Sequence, residues 1–600
     1  MILQSLCKYY DRLAANPDTG IARFGYTLNP VSSCVALNID GDILDVLPLL
    51  DGKKFRQLNT PQHVKRSNNI APGFLCDNAE YFFGTDPKHG QEKLGAARDF
   101  HRAIIGDVKD DGGTAILNFL EKVTGIPGKY AKTLGSKNIV FCLDGIPGYI
   151  HDRLAMRSAW EEYNLKSLQN SEVAQCLVTG EVAPIARLHG NFSGFGQDKP
   201  TLVCFNLESF KSYDLTRKDA NGKNINGTNA PVSEVAMFKY TTALNALILS
   251  PQNSIDIDDR KIVFWAEEKA SNEENFLRAF WLGGFKETQN LDELATQKIN
   301  AALMSLREGK PTDIPDINVN IKFHILGMSA SKTRLAIRFF NIDTFGNLFA
   351  GIGQHYHDID IEGAAWDQKL ITPYNILLEA SRGKDYKERK QNIPPVLKDA
   401  LLRSIIEGTS YPYTLCDAIL ARIRADKNIN HVRAGILKGI LNRDARHNNK
   451  KEMITLSLNK EETNLAYLLG RIFAVLEKAQ RDALGGEINS TITDRYLNAA
   501  MTTPQTVFPV LFSLFEHHIS KSRNYYPKSV LHEIFTKLPA DTFPEILDTK
   551  DQCRFTVGYY HQRQNLYTKQ EKEDKDSVKQ TGIQETLNTD SPPSAADSVP

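Results

Sequence analysis

The chain lacks the runs and spacings that mark several common protein classes. No eighteen consecutive residues are apolar, which argues against a transmembrane helix. The N-terminus, MILQSLCKYYDRL, carries Lys8 and no small-residue cleavage site, so it does not read as a secretory signal. The eight cysteines are scattered and form no CxxC. That spacing suits neither a zinc ribbon nor a disulfide framework, and a reducing cytoplasm is the simplest setting. No HExxH, GxSxG or Walker pattern occurs, so the usual metalloprotease, hydrolase and nucleotide-binding signatures are missing. Net charge is missing too. Lys plus Arg is 72, Asp plus Glu is 72, and the formal charge is zero. A nucleic-acid partner must therefore be held by local basic patches, because the global field offers little steering.

What is present is ordinary in amount and uneven in arrangement. The 600 residues are 41% hydrophobic and 24% charged, enough for two to four cores of a soluble protein. The stretch from Pro61 to Asn78, PQHVKRSNNIAPGFLCDN, joins Lys65 and Arg66 to Ser67, Asn68 and Asn69, then turns at Pro72-Gly73. Lys and Arg supply donors to phosphate or guanine, and Asn can pair with a base edge through donor and acceptor together. A solvated surface loop and a base-reading element are both open on composition.

The opening residues have apolar positions at helical spacing. Cys34 to Leu50 reads as strand, turn and strand, and a helix from Gln91 carries Arg98, His101 and Arg102. Lys137 to Leu143 is a buried strand, and helices are expected over Leu154 to Leu168 and Glu234 to Leu249. Between them Gly190 to Gly196 is a Gly-rich loop able to bring backbone N–H groups near a phosphate, with Ser193 in it and Lys199 just beyond. The clearest β signal is Asn320 to Phe345: Ile321, Phe323 and Ile325 alternate, Gly327 to Ser331 is expected to turn the chain, and Leu335, Ile337 and Phe339 alternate back. Its opposite face would carry Lys332, Arg334 and Arg338, either as a solvated face or as a stripe tracking a sugar-phosphate backbone. His355, His357 and Asp358 follow at strand spacing, the only hint of a metal or nuclease site, without an identifiable third ligand cluster.

From about Pro373 the texture is helical. Arg433 to Lys451 is locally basic and contains Arg443 and Arg446, and such runs are most often solvated faces. The strongest helix is expected over Asn459 to Leu484, closed by Gly485-Gly486. Lys521 and Arg523 follow an aromatic helix, and the polar stretch from about Lys569 reads as disordered. The fold class expected is α+β. A mixed α/β region with antiparallel hairpins (1–370) leads through helical connections (371–452) to an all-α bundle (453–567) and a disordered tail (568–600).

Several ordered stretches together resemble one family: MILQSLCKYYDRL, VKRSNNIAPGFLCDNAEYFFG, LVCFNLESFKSY with NAPVSEVAMFKYTTALN, LGMSASKTRLAIRFFNIDTFGNL, NLAYLLGRIFAVLEKAQ and FTVGYYHQRQNLY. They look like the large subunit of the type I-C (Dvulg-subtype) CRISPR surveillance complex, Cascade, of the Csd family. The resemblance implies a cytoplasmic, non-catalytic protein without cofactor, assembled with crRNA-containing backbone, crRNA-processing and small subunits. It implies recognition of a protospacer-adjacent motif in double-stranded DNA, promotion of strand separation, steering of the displaced strand and recruitment of a helicase-nuclease. Motif reading is then expected of Lys65, Arg66, Ser67, Asn68 and Asn69. Backbone or displaced-strand contacts are expected of Ser193, Lys199, Lys332, Arg334 and Arg338, and of Arg443, Arg446, Lys521 and Arg523. The resemblance also implies a separate small subunit from internal translation, for which Met453 is the candidate start. A metal-dependent nuclease on His355, His357 and Asp358, and a purely architectural subunit, are the competing readings.

Overall fold

The computed structural model describes residues 1–567 apart from 17–18, 52–53, 64–69, 132, 135–137, 168–171, 206–210, 212–216, 219–223, 226, 283–300, 303–304, 306–316, 364–369, 451–452, 486–489 and 539–542. The expected tail, 568–600, lies outside the described residues. The chain divides into two units, Met1–Pro251 with Ala330–Ala336, and Gln252–Ser329 with Ile337–Pro600.

In the first unit the helix Ile2–Ala15 buries Leu6, Cys7, Tyr9 and Tyr10. It packs on the helix Glu234–Leu249, where Tyr10 meets Phe238 edge-on at 5.8 Å and Lys239 pairs with Asp11 at 2.8 Å. Two of the family-like stretches thus support each other across more than two hundred residues. The sheet beside them is built on β1 (Tyr26–Leu37), which pairs antiparallel with β2 (Ile43–Pro48) and β4 (Lys54–Pro61) and parallel with β5 (Asn138–Leu143); β3 (Leu50–Asp51) adds to β4. Val35 lies opposite Val46 and Phe141, and these residues share a core with Phe119 and Leu120 of the helix Asp111–Lys122. That helix starts where its residue pattern says it should: Asp110 accepts from Gly113 N–H at 3.1 Å, closing one of the orphan donors of the first turn. Two short hairpins follow, β6 (Val173–Gln175) with β7 (Val182–Pro184) and β8 (Arg217–Lys218) with β9 (Asn224–Ile225).

The second unit opens with a four-stranded sheet in the order β10 (Ser254–Ile257), β11 (Arg260–Ala266), β12 (Lys322–Ser331), β13 (Arg334–Thr344). The expected turn at Gly327 to Ser331 is not there: these residues continue β12, and the chain reverses at Lys332-Thr333. Gly327 is needed in the strand because a Cβ there would overlap the Phe339 ring. His355, His357 and Asp358 also differ from expectation, since they lie on the helix Phe345–Ile359 rather than a strand. Its buried Phe345, Leu348, Ile352, Tyr356 and Ile359 repeat at helical spacing, and that period overrides the local His-x-His pattern.

The remaining described chain is helical. The helix Leu465–Leu484 begins at Asn464, which accepts from Tyr467 N–H at 3.2 Å, five residues after the expected Asn459. It crosses the helix over 549–567 at two glycines: a Cβ on Gly470 would overlap the Phe555 carbonyl, and one on Gly558 the Tyr467 carbonyl. Close backbone approach of that kind admits only glycine. These helices hold the two C-terminal family-like stretches. Among the described residues no helix is long and apolar enough to cross a membrane.

Candidate nucleic-acid interface

Lys65, Arg66, Ser67, Asn68 and Asn69 lie outside the described residues, and what can be read is the base that carries them. On one side β4 ends with Pro61 opposite Tyr26, and His63 Nε2 lies 2.6 Å from the Cys76 carbonyl oxygen. On the other, Asp77 accepts from the N–H groups of Gly73 at 2.6 Å and Asn78 at 2.8 Å. Gly73 cannot be larger, because a Cβ would overlap the Cys76 carbonyl and sit 2.8 Å from the His63 ring. Phe74 stacks on Trp160 at 5.1 Å, and Leu75 takes a left-handed conformation with φ +51°. Such a conformation is strained for leucine and persists only where the surroundings determine it.

His101 helps to determine it. Its Nδ1 lies 2.7 Å from the Ala97 carbonyl and its Nε2 2.9 Å from the Leu75 nitrogen, so Nδ1 carries the proton and Nε2 accepts. Burial pushes its pKa down to about 4, against a smaller upward pull from the Ala97 carbonyl and Asp77, so the ring is neutral at physiological pH. Sequence reasoning noted His101 as part of a helix but missed this role. The signal was there: Leu94, Ala97, His101 and Ile105 are spaced as one buried face of the helix Gly90–Ile105.

A second basic element is assembled from two distant segments of the first unit. The Gly-rich loop closes on itself where Phe192 N–H donates to the Pro200 carbonyl at 2.9 Å and Asn191 pairs with Thr201. Phe192 is buried, and Asn245 holds the loop by accepting from Ser193 N–H at 3.0 Å and donating to the Asn191 carbonyl at 3.1 Å. Thr201 then pairs with the hairpin tip: its N–H donates to the Thr333 carbonyl and Leu335 N–H donates back, both at 2.9 Å. Ser193, Lys199 and Lys332 are therefore carried, exposed, on one hydrogen-bonded ribbon. Lys332 is a turn residue with φ +51°, not a member of a strand stripe. Arg334 is half-buried and donates to the Cys204 carbonyl at 3.3 Å, while Arg338 is exposed with Nε on Ser329 Oγ at 2.8 Å.

The basic helical window is a different matter. Arg443 is fully buried, donates to Asp358 at 2.9 Å and to the carbonyls of Ser404 at 2.8 Å and Thr409 at 3.1 Å, and lies over the Tyr411 ring at 4.1 Å. Arg446 grips the same carboxylate with both terminal nitrogens, at 2.8 and 2.7 Å. Burial alone would raise the Asp358 pKa, but the Arg446 hydrogen bonds and the Arg443 charge outweigh it and hold the carboxyl below its ordinary value. Arg433 is likewise buried between Glu379 and Asp426. Arg443 is thus withdrawn from the backbone-contact candidates, and Arg446 is committed to the core carboxylate.

The same geometry disposes of the His355, His357 and Asp358 grouping. His355 is buried, with Nδ1 2.6 Å from Tyr411 Oη, and burial together with the nearby Arg443 pushes its pKa down to about 3. His357 faces solvent, and Asp358 belongs to the arginines. The three side chains do not converge. Lys521 and Arg523 are exposed at the C-terminal end of the helix Pro504–Ser522, and Arg523 closes it in a left-handed conformation. Met453 is exposed in the irregular segment ahead of Asn464.

Compared with known families, residues 6–567 match the model described as CRISPR-associated protein (Cas_Csd1). No curated protein matches the chain.

Proposed function

Because the chain belongs to the Cas_Csd1 family of CRISPR-associated proteins, we propose that it is the non-catalytic large subunit of a type I-C crRNA-guided surveillance complex. In this reading it recognises a protospacer-adjacent motif in double-stranded DNA, promotes strand separation and R-loop formation, and stabilises the displaced strand. It then helps to recruit a helicase-nuclease. Guide pairing supplies target specificity in such a complex, so the protein needs one small base reader and a set of backbone contacts. The observation that carries the reader assignment is the anchored base around 64–69, where His63 on the Cys76 carbonyl holds the approach before the Lys-Arg-Ser-Asn-Asn segment and Gly73, Leu75, Asp77 and His101 fix the chain after it. Asn68 or Asn69 would supply a bidentate base contact of about 1–3 kcal/mol. The ribbon bearing Ser193, Lys199 and Lys332 would hold phosphates, and Arg338, Lys521 and Arg523 are further exposed cations for the displaced strand.

The test replaces Lys65, Arg66, Asn68 and Asn69 with alanine in the assembled complex. Binding to duplexes carrying the motif should fall at least tenfold, while assembly and binding to motif-free duplexes stay within about twofold. Unchanged affinity for the motif would overturn the loop assignment. Residues 453–567 are also proposed to be made separately as a small subunit, with Met453 as the start. Persistence of that product after Met453 is changed to a non-initiating codon would refute the start. A second reading, in which the helical half serves protein neighbours alone, is favoured by the burial of Arg433, Lys438 and Arg443. Crosslinks from Lys521 or Arg523 to the displaced strand would count against it.

A further inference from the structure

Two cysteines far apart in the chain meet in the second unit. Cys416 lies in the first turn of the helix Tyr413–Asp426, and Cys553 near the start of the helix over 549–567. They are 137 positions apart, yet their Sγ atoms lie 2.9 Å from each other, and both residues are buried. Closing that contact to a bonded S–S distance of about 2.05 Å takes a movement of less than about 1 Å. The seam around them is held by contacts between the same part of the chain and the same C-terminal helix. His431 Nδ1 lies 3.0 Å from Tyr560 Oη, Lys550 donates to Asp444 at 2.7 Å, and Arg424 donates to Gln552. These pairs keep the two thiols facing each other while the chain is folded.

A second thiol pair differs in geometry. Cys34 hydrogen-bonds with Cys142, but on β1 and β5 Cys34 lies opposite Val140 and Cys142 opposite Ala36. Such a diagonal spans about 7–8 Å between Cα atoms, beyond the usual reach of a disulfide unless the strands move. Cys416 and Cys553 need no such shift.

Thiolate, not thiol, is the nucleophile toward oxidants. The Cys416 hydrogen bond and burial push the Cys553 thiol well above its ordinary range, so the closed pair is inert. Reaction therefore waits on local opening. Both cysteines sit near helix N-termini, where fraying costs least, and the irregular segment 543–548 leads directly into the helix of Cys553.

We propose that Cys416 and Cys553 form an oxidant-responsive dithiol, which hydrogen peroxide converts to a disulfide tying the helix Tyr413–Asp426 to the C-terminal helix. On opening, one thiol gives its proton to water and the thiolate attacks the peroxide. An S–O bond forms, the O–O bond breaks, and hydroxide leaves. The second thiolate then displaces hydroxide from the sulfenic sulfur, so that S–S forms and S–O breaks. Two thiols and one peroxide thus yield one disulfide and two waters, and a thiol reductant reverses the change. A product begun at Met453 would lack Cys416, so under the internal-start reading only the full-length chain carries this tie. The dithiol itself does not depend on that reading.

The test treats the reduced, folded full chain with hydrogen peroxide, blocks remaining thiols with N-ethylmaleimide, and maps the non-reduced digest by mass spectrometry. A peptide joined through Cys416 and Cys553 should appear, two hydrogens lighter than its parts, and be lost on treatment with dithiothreitol. Its rate of formation should rise severalfold in urea kept below the unfolding midpoint, as gating by local opening requires. Cys416→Ser and Cys553→Ser should each abolish the joined peptide, with far-UV circular dichroism as the check on folding. Cys142, partly exposed and lowered to about 7 by the Cys34 hydrogen bond, is the internal control for exposure to oxidant. No Cys416–Cys553 peptide from wild type under conditions that modify Cys142 would overturn the proposal, whatever the variants do. So would a joined peptide that forms only above the unfolding midpoint, or one that links either residue to a different cysteine.

Discussion

Asp358→Ala isolates what the buried arginines contribute. Asp358 is fully buried, and two guanidiniums converge on it. Removing the carboxylate leaves Arg446 able to turn toward water, since its side chain is 34% exposed, but Arg443 is 1% exposed and retains the Ser404 and Thr409 carbonyls and the Tyr411 ring face, with no counter-charge of its own. Breaking a buried pair by deleting one partner costs about 3–5 kcal/mol, because an uncompensated charge stays behind. At roughly 2 °C per kcal/mol for a large cooperative unit, the melting transition of the second unit should fall by roughly 6–10 °C. The sign of the pH dependence follows from the lowered Asp358 pKa. A carboxylate held below its unfolded value stabilises the fold above about pH 4 and loses that contribution as pH falls through the folded value. The gap between wild type and Asp358→Ala should therefore be full at pH 7 and shrink below pH 4. Far-UV circular dichroism against temperature at both pH values reads both effects. The double variant Asp358→Leu, Arg443→Met should recover much of the loss, since replacing a buried pair by apolar groups is often near neutral. A shift under about 2 °C for Asp358→Ala at pH 7 would refute the assignment of Arg443 to the core and reopen it as a DNA contact.

Three further outcomes are expected. Gly470→Ala and Gly558→Ala each force a Cβ into a backbone carbonyl, so each should destabilise by about 1–3 kcal/mol or more, and unchanged denaturation midpoints would deny the close helix crossing. Lys438 is nearly fully buried, and desolvation pulls its pKa down to about 8 despite Asp360 and Asp358. Between pH 8 and 10.5 the unfolded chain binds that proton and the folded chain does not, so wild type should gain roughly 3 kcal/mol over Lys438→Met across that interval of urea denaturation; a pH-independent difference would contradict it. His101→Ala removes the acceptor of the Leu75 N–H and should erode discrimination between motif-bearing and motif-free duplexes, with partial rescue by His101→Gln, whereas equal loss on both duplexes would mean a general folding defect.

How much of this could be read from sequence depended on whether the deciding partner was near or far along the chain. The helices Gly90–Ile105 and Glu234–Leu249 are legible in the local residue pattern and the strand Asn138–Leu143 in the length and β-branching of its apolar run, and they are there. The hairpin turn was misplaced because Gly327 and the serines around it look like turn chemistry, while the actual turn uses Lys332 at positive φ, a residue type that gives no warning. What placed Gly327 inside a strand was the Phe339 ring, a neighbour that no local window contains.

The basic windows show the same limit in charge. Counting cations between Arg433 and Lys451 marks a patch, but Arg433 finds Glu379 at 54 residues' separation and Arg443 finds Asp358 at 85. Long-range pairing turns an apparent surface patch into core. Exposed cations without a carboxylate partner are the ones that can release counterions from DNA, because a cation already neutralised by a buried acid has no charge left to exchange. By that criterion backbone holding moves away from Arg443 and Arg446. Under the proposed reading it would fall to Lys199 and Lys332 on the ribbon, to Arg338, and to Lys521 and Arg523 at one helix end. The slope of log affinity against log salt should therefore drop by nearly one unit for each of these five changed to alanine, and remain as it was for Arg446→Ala.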